Sequence, residues 1–203
     1  MLTKDPAMEL ALSTKDMGYE FSEQMMSAYE NMMRGERELM AALMEMDSRK
    51  NFYSDATFTQ RMSYGSVKGY KPRDGVWYDY YTTEKGVLEK YKENDPEFHL
   101  QPYIVDTLQK KDFGRYAAKD GTMRVNFLSD NDITGGNSGS PVFNGKAELV
   151  GLAFDGNWEA LSGDIIFESG MQRTISVDIR YVLYTIDKIM NAPHIINELK
   201  IAR

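Results

Sequence analysis

The chain has 203 residues, enough for one large domain or one domain with an attached subdomain, and it is 42% hydrophobic, 12% aromatic and 27% charged, which fits a packed core and excludes disorder throughout. Its 31 acidic and 24 basic residues give a formal net charge of -7 with no run of Lys and Arg, so nucleic acid, whose phosphates are held by such clusters, is not expected as a partner. The absence of cysteine excludes disulfides, thiol nucleophiles and thiolate zinc sites, and no apolar stretch approaches the roughly 20 residues of a membrane span.

Met1 to Leu12 carries Asp5 and Glu9 and does not read as a signal peptide. The first 46 residues read as helix. From Phe21 to Met46 there is no proline, and apolar residues recur at Phe21, Met25, Tyr29, Met32, Met33, Leu39, Leu43 and Met46 along one broad face. Ser22 is a plausible start and Asp47-Ser48 a plausible stop. The methionines, most of which lie in this segment, read as flexible packing rather than as a cofactor site.

After about Asn51 the texture changes. Arg61 to Tyr70 and Val76 to Thr82 predict two strands around the turn Pro72-Arg73-Asp74-Gly75. Short helices are expected over Glu84 to Lys92 and Tyr103 to Lys110. Strands follow at Met123 to Leu128, Pro141 to Phe143, Glu148 to Phe154, Asp164 to Phe167 and Thr174 to Val177, with Asn144-Gly145 a hairpin signal. Asp178 to about Met190 reads as a helix, Pro193 breaks it, and a last turn or two runs to Leu199.

Chemistry concentrates in Gly135-Gly136-Asn137-Ser138-Gly139-Ser140-Pro141. Acyl transfer at a serine needs an exposed hydroxyl and backbone N–H groups aimed at the developing oxyanion, and glycines beside the serine permit the tight geometry that turns those N–H groups inward. The plain structural alternative is a Gly/Ser/Asn turn between two strands. The pattern Gly-x-Ser-Gly-x-Pro resembles the nucleophile loop of chymotrypsin-like peptidases, in which Ser138 would attack and the N–H groups of Gly136 and Ser138 would form the oxyanion hole.

The resemblance becomes specific over longer runs. Gly121-Thr122-Met123, Asp132 to Val142, Gly151 to Glu159 and Gln172 to Leu183, with Arg61 to Gly65 and Tyr70 to Gly75 upstream, are similar to the bacterial dipeptidyl-peptidase 7/11 family. That family joins a double β-barrel peptidase domain to an inserted helical domain, removes dipeptides from free N-termini, and is typically exported and dimeric. The resemblance therefore implies an α+β chain: residues 1–50 as the end of a helical cap, and residues 51–203 as the second, chymotrypsin-like β-barrel followed by a C-terminal helix.

It also implies a periplasmic or cell-envelope location, a peptide partner with a free N-terminus, an N-terminal half of the peptidase as partner, and a possible homodimer. Asp155 matches the family aspartate that holds the substrate's α-ammonium, a charge-assisted pairing; by itself Asp155 reads as a turn residue before Gly156. Gly156 stands where acidic-specific members carry an arginine, which implies preference for a hydrophobic second residue.

Of the two histidines only His99 precedes Ser138. It lies in the loop Asp95-Pro96-Glu97-Phe98-His99 and matches no catalytic motif of the family; His194 and Lys146 are weaker candidates for a base. The serine is thus expected to lack its histidine and aspartate within this sequence, and no metal or cofactor is expected. Two other readings stay open: a non-catalytic module that binds peptides or a subunit through an exposed apolar face, and a self-sufficient peptidase using His99.

Overall fold

The computed structural model describes residues 5–50, 52, 60–163 and 166–202, without the side chains of residues 16, 20, 23 and 24. The chain divides into two units, Met1–Ser54 and Asp55–Arg203.

The first unit is a single helix, α1 (Pro6–Met46). The Asp5 carboxylate accepts the Ala7 N–H at 2.8 Å, Pro6 occupies the first helical position, where its missing N–H costs nothing, and Glu9 sits in the first turn. Asp47 ends it, its N–H donating to the Leu43 carbonyl at 3.2 Å. The start expected at Ser22 is therefore not a boundary; the helix runs through it. Of the expected apolar face, Met33 and Leu43 are half-buried, whereas Met25, Tyr29 and Met32 are exposed.

In the second unit, β1 (Tyr70–Arg73) and β2 (Val76–Tyr78) make a two-stranded antiparallel ribbon around Asp74-Gly75, with Gly75 at φ +74°. A separate five-stranded antiparallel sheet contains β3 (Tyr81–Thr83), β4 (Arg124–Ser129), β5 (Pro141–Phe143), β6 (Leu149–Gly156) and β7 (Thr174–Asp178) in the order β3-β4-β7-β6-β5. The α+β class agrees with the sequence, but the β-barrel half does not form as such: the sheet is open. A barrel closes only when its two edge strands pair with each other. Here β3 and β5 are the edges, three residues each, with three strands between them.

Other departures have local causes. The strand expected over Val76 to Thr82 splits between the two sheets at Asp79-Tyr80, where the Asp79 carboxylate takes the Tyr80 N–H at 2.8 Å. Residues 61–69 form no strand and pair only through a bridge between Val67 and Ser129. They are fastened instead by Asp130, which accepts the Ser66 N–H and the Lys68 ammonium, both at 2.5 Å. The Lys68 ammonium, with that N–H, holds the Asp130 carboxyl below the usual carboxylate range. Of the strand expected over Asp164 to Phe167, residues 164 and 165 lie outside the described residues, and Ile166 and Phe167 belong to no strand.

The core is helical. α2 (Glu84–Lys90) and α3 (Pro102–Lys110) contribute Val87, Leu88, Ile104 and Leu108, which pack with Phe113, Tyr116, Met123 and Tyr184. The Tyr184 ring meets Phe113 edge-on at 5.5 Å and Tyr116 at 6.0 Å. α4 (Ile179–Tyr184) is capped by Asp178, which accepts the Arg180 N–H at 2.9 Å and pairs with its guanidinium at 2.6 Å. The helix expected to run on to Met190 becomes a π turn over Thr185–Ile189, before α5 (Pro193–Glu198). On the sheet, Phe127, Ser176 and Ala153 stand opposite one another across β4, β7 and β6. The Phe127 ring fills the space over Gly151, where a Cβ would come within 2.6 Å of it.

Candidate active site

Ser138 lies in the loop between β4 and β5 and is exposed. The loop is shaped by its own polar groups. The Asn137 side-chain oxygen accepts the Thr134 N–H at 2.9 Å, and the Asn137 N–H donates to the Thr134 carbonyl at 3.2 Å. Its two glycine turns, Gly136 at φ +92° and Gly139 at φ +83°, are conformations that side-chain-bearing residues rarely adopt. Gly139 N–H then donates to the Ala153 carbonyl at 2.6 Å, and Ala153 N–H to the Ser140 carbonyl at 2.9 Å, seating the loop on β6. These bonds commit the N–H groups of Thr134, Asn137, Gly139 and Ala153 and use neither that of Gly136 nor that of Ser138.

The hydroxyl of Ser138 donates to the Phe154 carbonyl at 3.2 Å. Phe154 is the extra residue of a β-bulge: Ala153 pairs with Ser176 and Asp155 with Ile175, leaving Phe154 without an opposite on β7. A bulge re-aims the strand beyond it, and the two residues beyond it are Asp155 and Gly156. Asp155 is therefore a strand residue and not the turn aspartate that local sequence favours. It is exposed, and its carboxylate accepts the Gly156 N–H at 2.8 Å. A Cβ on Gly156 would lie 3.0 Å from the Ala160 Cβ and 3.7 Å from the Ile133 Cγ2, so the space beside Gly156 has apolar neighbours. Three of the sequence-predicted residues, Ser138, Asp155 and Gly156, thus meet at one end of β6, with Gly136 in the loop that carries the serine.

His99 does not join them. Its Nδ1 donates to the Glu93 carbonyl at 2.7 Å, its ring lies 6.3 Å from that of Tyr91, and among the described residues no bond links it to Ser138. Among the described residues no cluster of three or more acidic or histidine side chains could hold a metal, and no helix is long and apolar enough to cross a membrane.

The sequence reading missed the support beneath this corner. Asn157, buried, is bound to Arg173 twice: its N–H donates to the Arg173 carbonyl at 2.9 Å, and its side-chain oxygen accepts the Arg173 N–H at 2.8 Å. Its amide nitrogen donates to the Met171 carbonyl and to Glu159 Oε2, each at 2.8 Å. Tyr70 donates to that same Glu159 oxygen at 2.8 Å. Burial, with the carboxylate alongside, raises the Tyr70 phenol above its usual pKa, so it keeps the proton it donates.

Arg173 is buried, with its guanidinium spread over four carbonyls, those of Gly69, Ser169, Gly170 and Gln172, at 2.6–3.1 Å. A buried charge survives only when hydrogen-bonded in this way. Replacing Arg173 with methionine strands those carbonyls and is expected to cost about 3 kcal/mol or more of local stability. The check is amide exchange at Asn157, whose N–H is donated to Arg173; unchanged protection there would contradict the assignment. The sequence signal for the network is the pair of polar residues Asn157 and Glu159 directly after a strand.

Comparison with known proteins gives one family. The family model described as Peptidase S46 matches residues 1–201. The chain is 57% identical, over 206 residues, to a dipeptidyl-peptidase 7 of Porphyromonas endodontalis, covering 100% of this chain and 25% of that protein. It is 42% identical, over 200 residues, to an Asp/Glu-specific dipeptidyl-peptidase of Porphyromonas gingivalis, covering 98% of this chain and 28% of that protein. Among solved structures it is similar to Porphyromonas endodontalis DPP11 in complex with the dipeptide Arg-Glu, with a TM-score of 0.79, 38% identity, and coverage of 96% of this chain and 28% of that one. The chain spans about a quarter of the length of these curated relatives. It belongs to the peptidase S46 family.

Proposed function

We infer that this chain supplies the nucleophile and part of the substrate site of a serine dipeptidyl-peptidase of the chymotrypsin-like kind, which releases dipeptides from peptide N-termini. The observation that carries the reading is the hydrogen bond from the Ser138 hydroxyl to the Phe154 carbonyl, which sets an exposed serine one residue away from the exposed carboxylate of Asp155. In this reading Ser138 attacks the second peptide bond of the substrate, and the N–H groups of Gly136 and Ser138 stabilise the oxyanion. Asp155 receives the substrate's α-ammonium through a charge-assisted bond. Gly156 adds no side chain of its own and, with Ala160 and Ile133 beside it, offers apolar neighbours to a hydrophobic second residue. The base and its carboxylate partner come from the remainder of the full-length protein, and α1 is the end of its helical cap.

The test is hydrolysis of fluorogenic dipeptide amides by the full-length protein. A substrate with a free amine and a hydrophobic second residue is expected to be turned over, and its Nα-acetylated analogue to be slower by roughly a hundredfold, the size of one lost charge-assisted hydrogen bond. Equal turnover of the two sinks the role given to Asp155. No turnover of either sinks the whole reading.

A further inference from the structure

Two residues that contact no substrate in this scheme, Tyr70 and Glu159, converge on the corner that holds Asp155 and Gly156. Glu159 Oε2 is the meeting point, accepting one hydrogen bond from the Tyr70 hydroxyl and one from the Asn157 amide, both at 2.8 Å. Asn157 directly follows Gly156, and Ala160, whose Cβ lies beside Gly156, directly follows Glu159. One carboxylate oxygen therefore ties Asn157, next to Gly156, to the turn that carries Ala160, and anchors both to β1, which is remote in sequence. The anchor itself is packed in place: Tyr70 is buried, and its ring lies 5.5 Å from the Arg173 guanidinium, which also holds the Gly69 carbonyl at 3.0 Å.

We propose that Tyr70 and Glu159 are positioning residues, which through Asn157 set where Asp155 and Gly156 stand relative to Ser138. The assignment rests on the role proposed for Asp155. Its physical basis is that Asp155 and Gly156 are paired on one side only: they face Ile175 and Thr174 of β7, whereas β5 reaches no further along β6 than Leu152, and beyond Gly156 the chain leaves into a 310 turn over Trp158–Ser162. A displacement of about 1 Å at such a point is enough to cost catalysis tens of fold. The backbone of the Ser138 loop is held separately, through Gly139 and Ser140 on Ala153, upstream of the bulge, and only the serine hydroxyl reaches the bulge residue. The two halves of the site thus have different supports, and loosening one leaves the other in place.

That separation gives the experiment. In the full-length protein, Tyr70→Phe and Glu159→Ala are compared with wild type in two assays. One is hydrolysis of a dipeptide amide with a free amine. The other is the rate at which Ser138 is labelled by a small organophosphonate that carries no amino group. The proposal expects kcat/KM for the dipeptide amide to fall roughly tenfold or more, mostly through KM, with labelling changed less than about twofold. Glu159→Gln, which keeps an acceptor oxygen for both donors, is expected to restore most of the loss.

Equal losses in both assays would show a merely structural role, and unchanged dipeptide hydrolysis in Glu159→Ala would show none; either result overturns the proposal. A wild-type protein whose Ser138 resists the organophosphonate would instead fail the serine-peptidase reading, so the two failures are distinguishable.

Discussion

Replacing Ser138 with alanine in the full-length protein is expected to reduce dipeptide release by at least about a thousandfold, because no other group can form the acyl intermediate and only oxyanion stabilisation and binding remain. The fold is expected to survive. Among the described residues the hydroxyl makes one hydrogen bond, to the Phe154 carbonyl, and the side chain is exposed, so water replaces it and stability changes by about 1 kcal/mol or less. The glycine turns and the Gly139–Ala153 and Ala153–Ser140 bonds do not involve the hydroxyl and remain. Substrate affinity is expected to be nearly unchanged for the same reason. Steady-state kinetics with a fluorogenic dipeptide amide, alongside thermal melting of both proteins, checks this. An alanine variant that melts normally and retains more than about a tenth of the activity rules out Ser138 as nucleophile.

The second large effect is expected at Gly156. Placing arginine there introduces a cation beside the apolar neighbours Ala160 and Ile133. The ratio of kcat/KM for an acidic over a hydrophobic second residue is expected to rise roughly a hundredfold, since a carboxylate gains a paired hydrogen bond while an aliphatic side chain loses room. The backbone at Gly156 needs no unusual φ, so the substitution is not strained by conformation. Its cost is steric: the new Cβ comes 3.0 Å from the Ala160 Cβ, and that 310 turn has to yield by a few tenths of an ångström. Added salt is expected to erode the new preference, because an exposed ion pair is screened. A ratio that stays where it was, in a folded variant, excludes position 156 as the determinant of the second-residue preference.

What could be read from the sequence followed from local chemistry. The glycine-flanked Ser138 loop and the Asn144-Gly145 hairpin carry their turn signals in adjacent residues, and α2, α3, β4 and β7 form within a residue or two of where periodicity places them. The helix start at Asp5-Pro6 was also written locally, as a capping carboxylate before a proline, but the apolar stripe beginning at Phe21 overshadowed it. The features that escaped are made by residues far apart in the chain. Whether a sheet closes depends on how its edges meet, which no run of β-branched residues encodes. Asp155-Gly156 has the local composition of a turn, and only pairing with Ile175 and Thr174 of β7 draws it into a strand. The Tyr70–Glu159 bond spans 89 positions and leaves no periodic trace.

The bulge at Phe154 gives the proposed enzyme a ruler. The Ser138 hydroxyl is hydrogen-bonded to the carbonyl of that residue, and the carboxylate assigned to the substrate's amine is on the very next one. Two extended residues of a peptide span about 7 Å, so the length of the released product is written as a count of backbone atoms along one strand. Tuning which side chains are accepted, as at Gly156, can then proceed without altering how many residues are cut away.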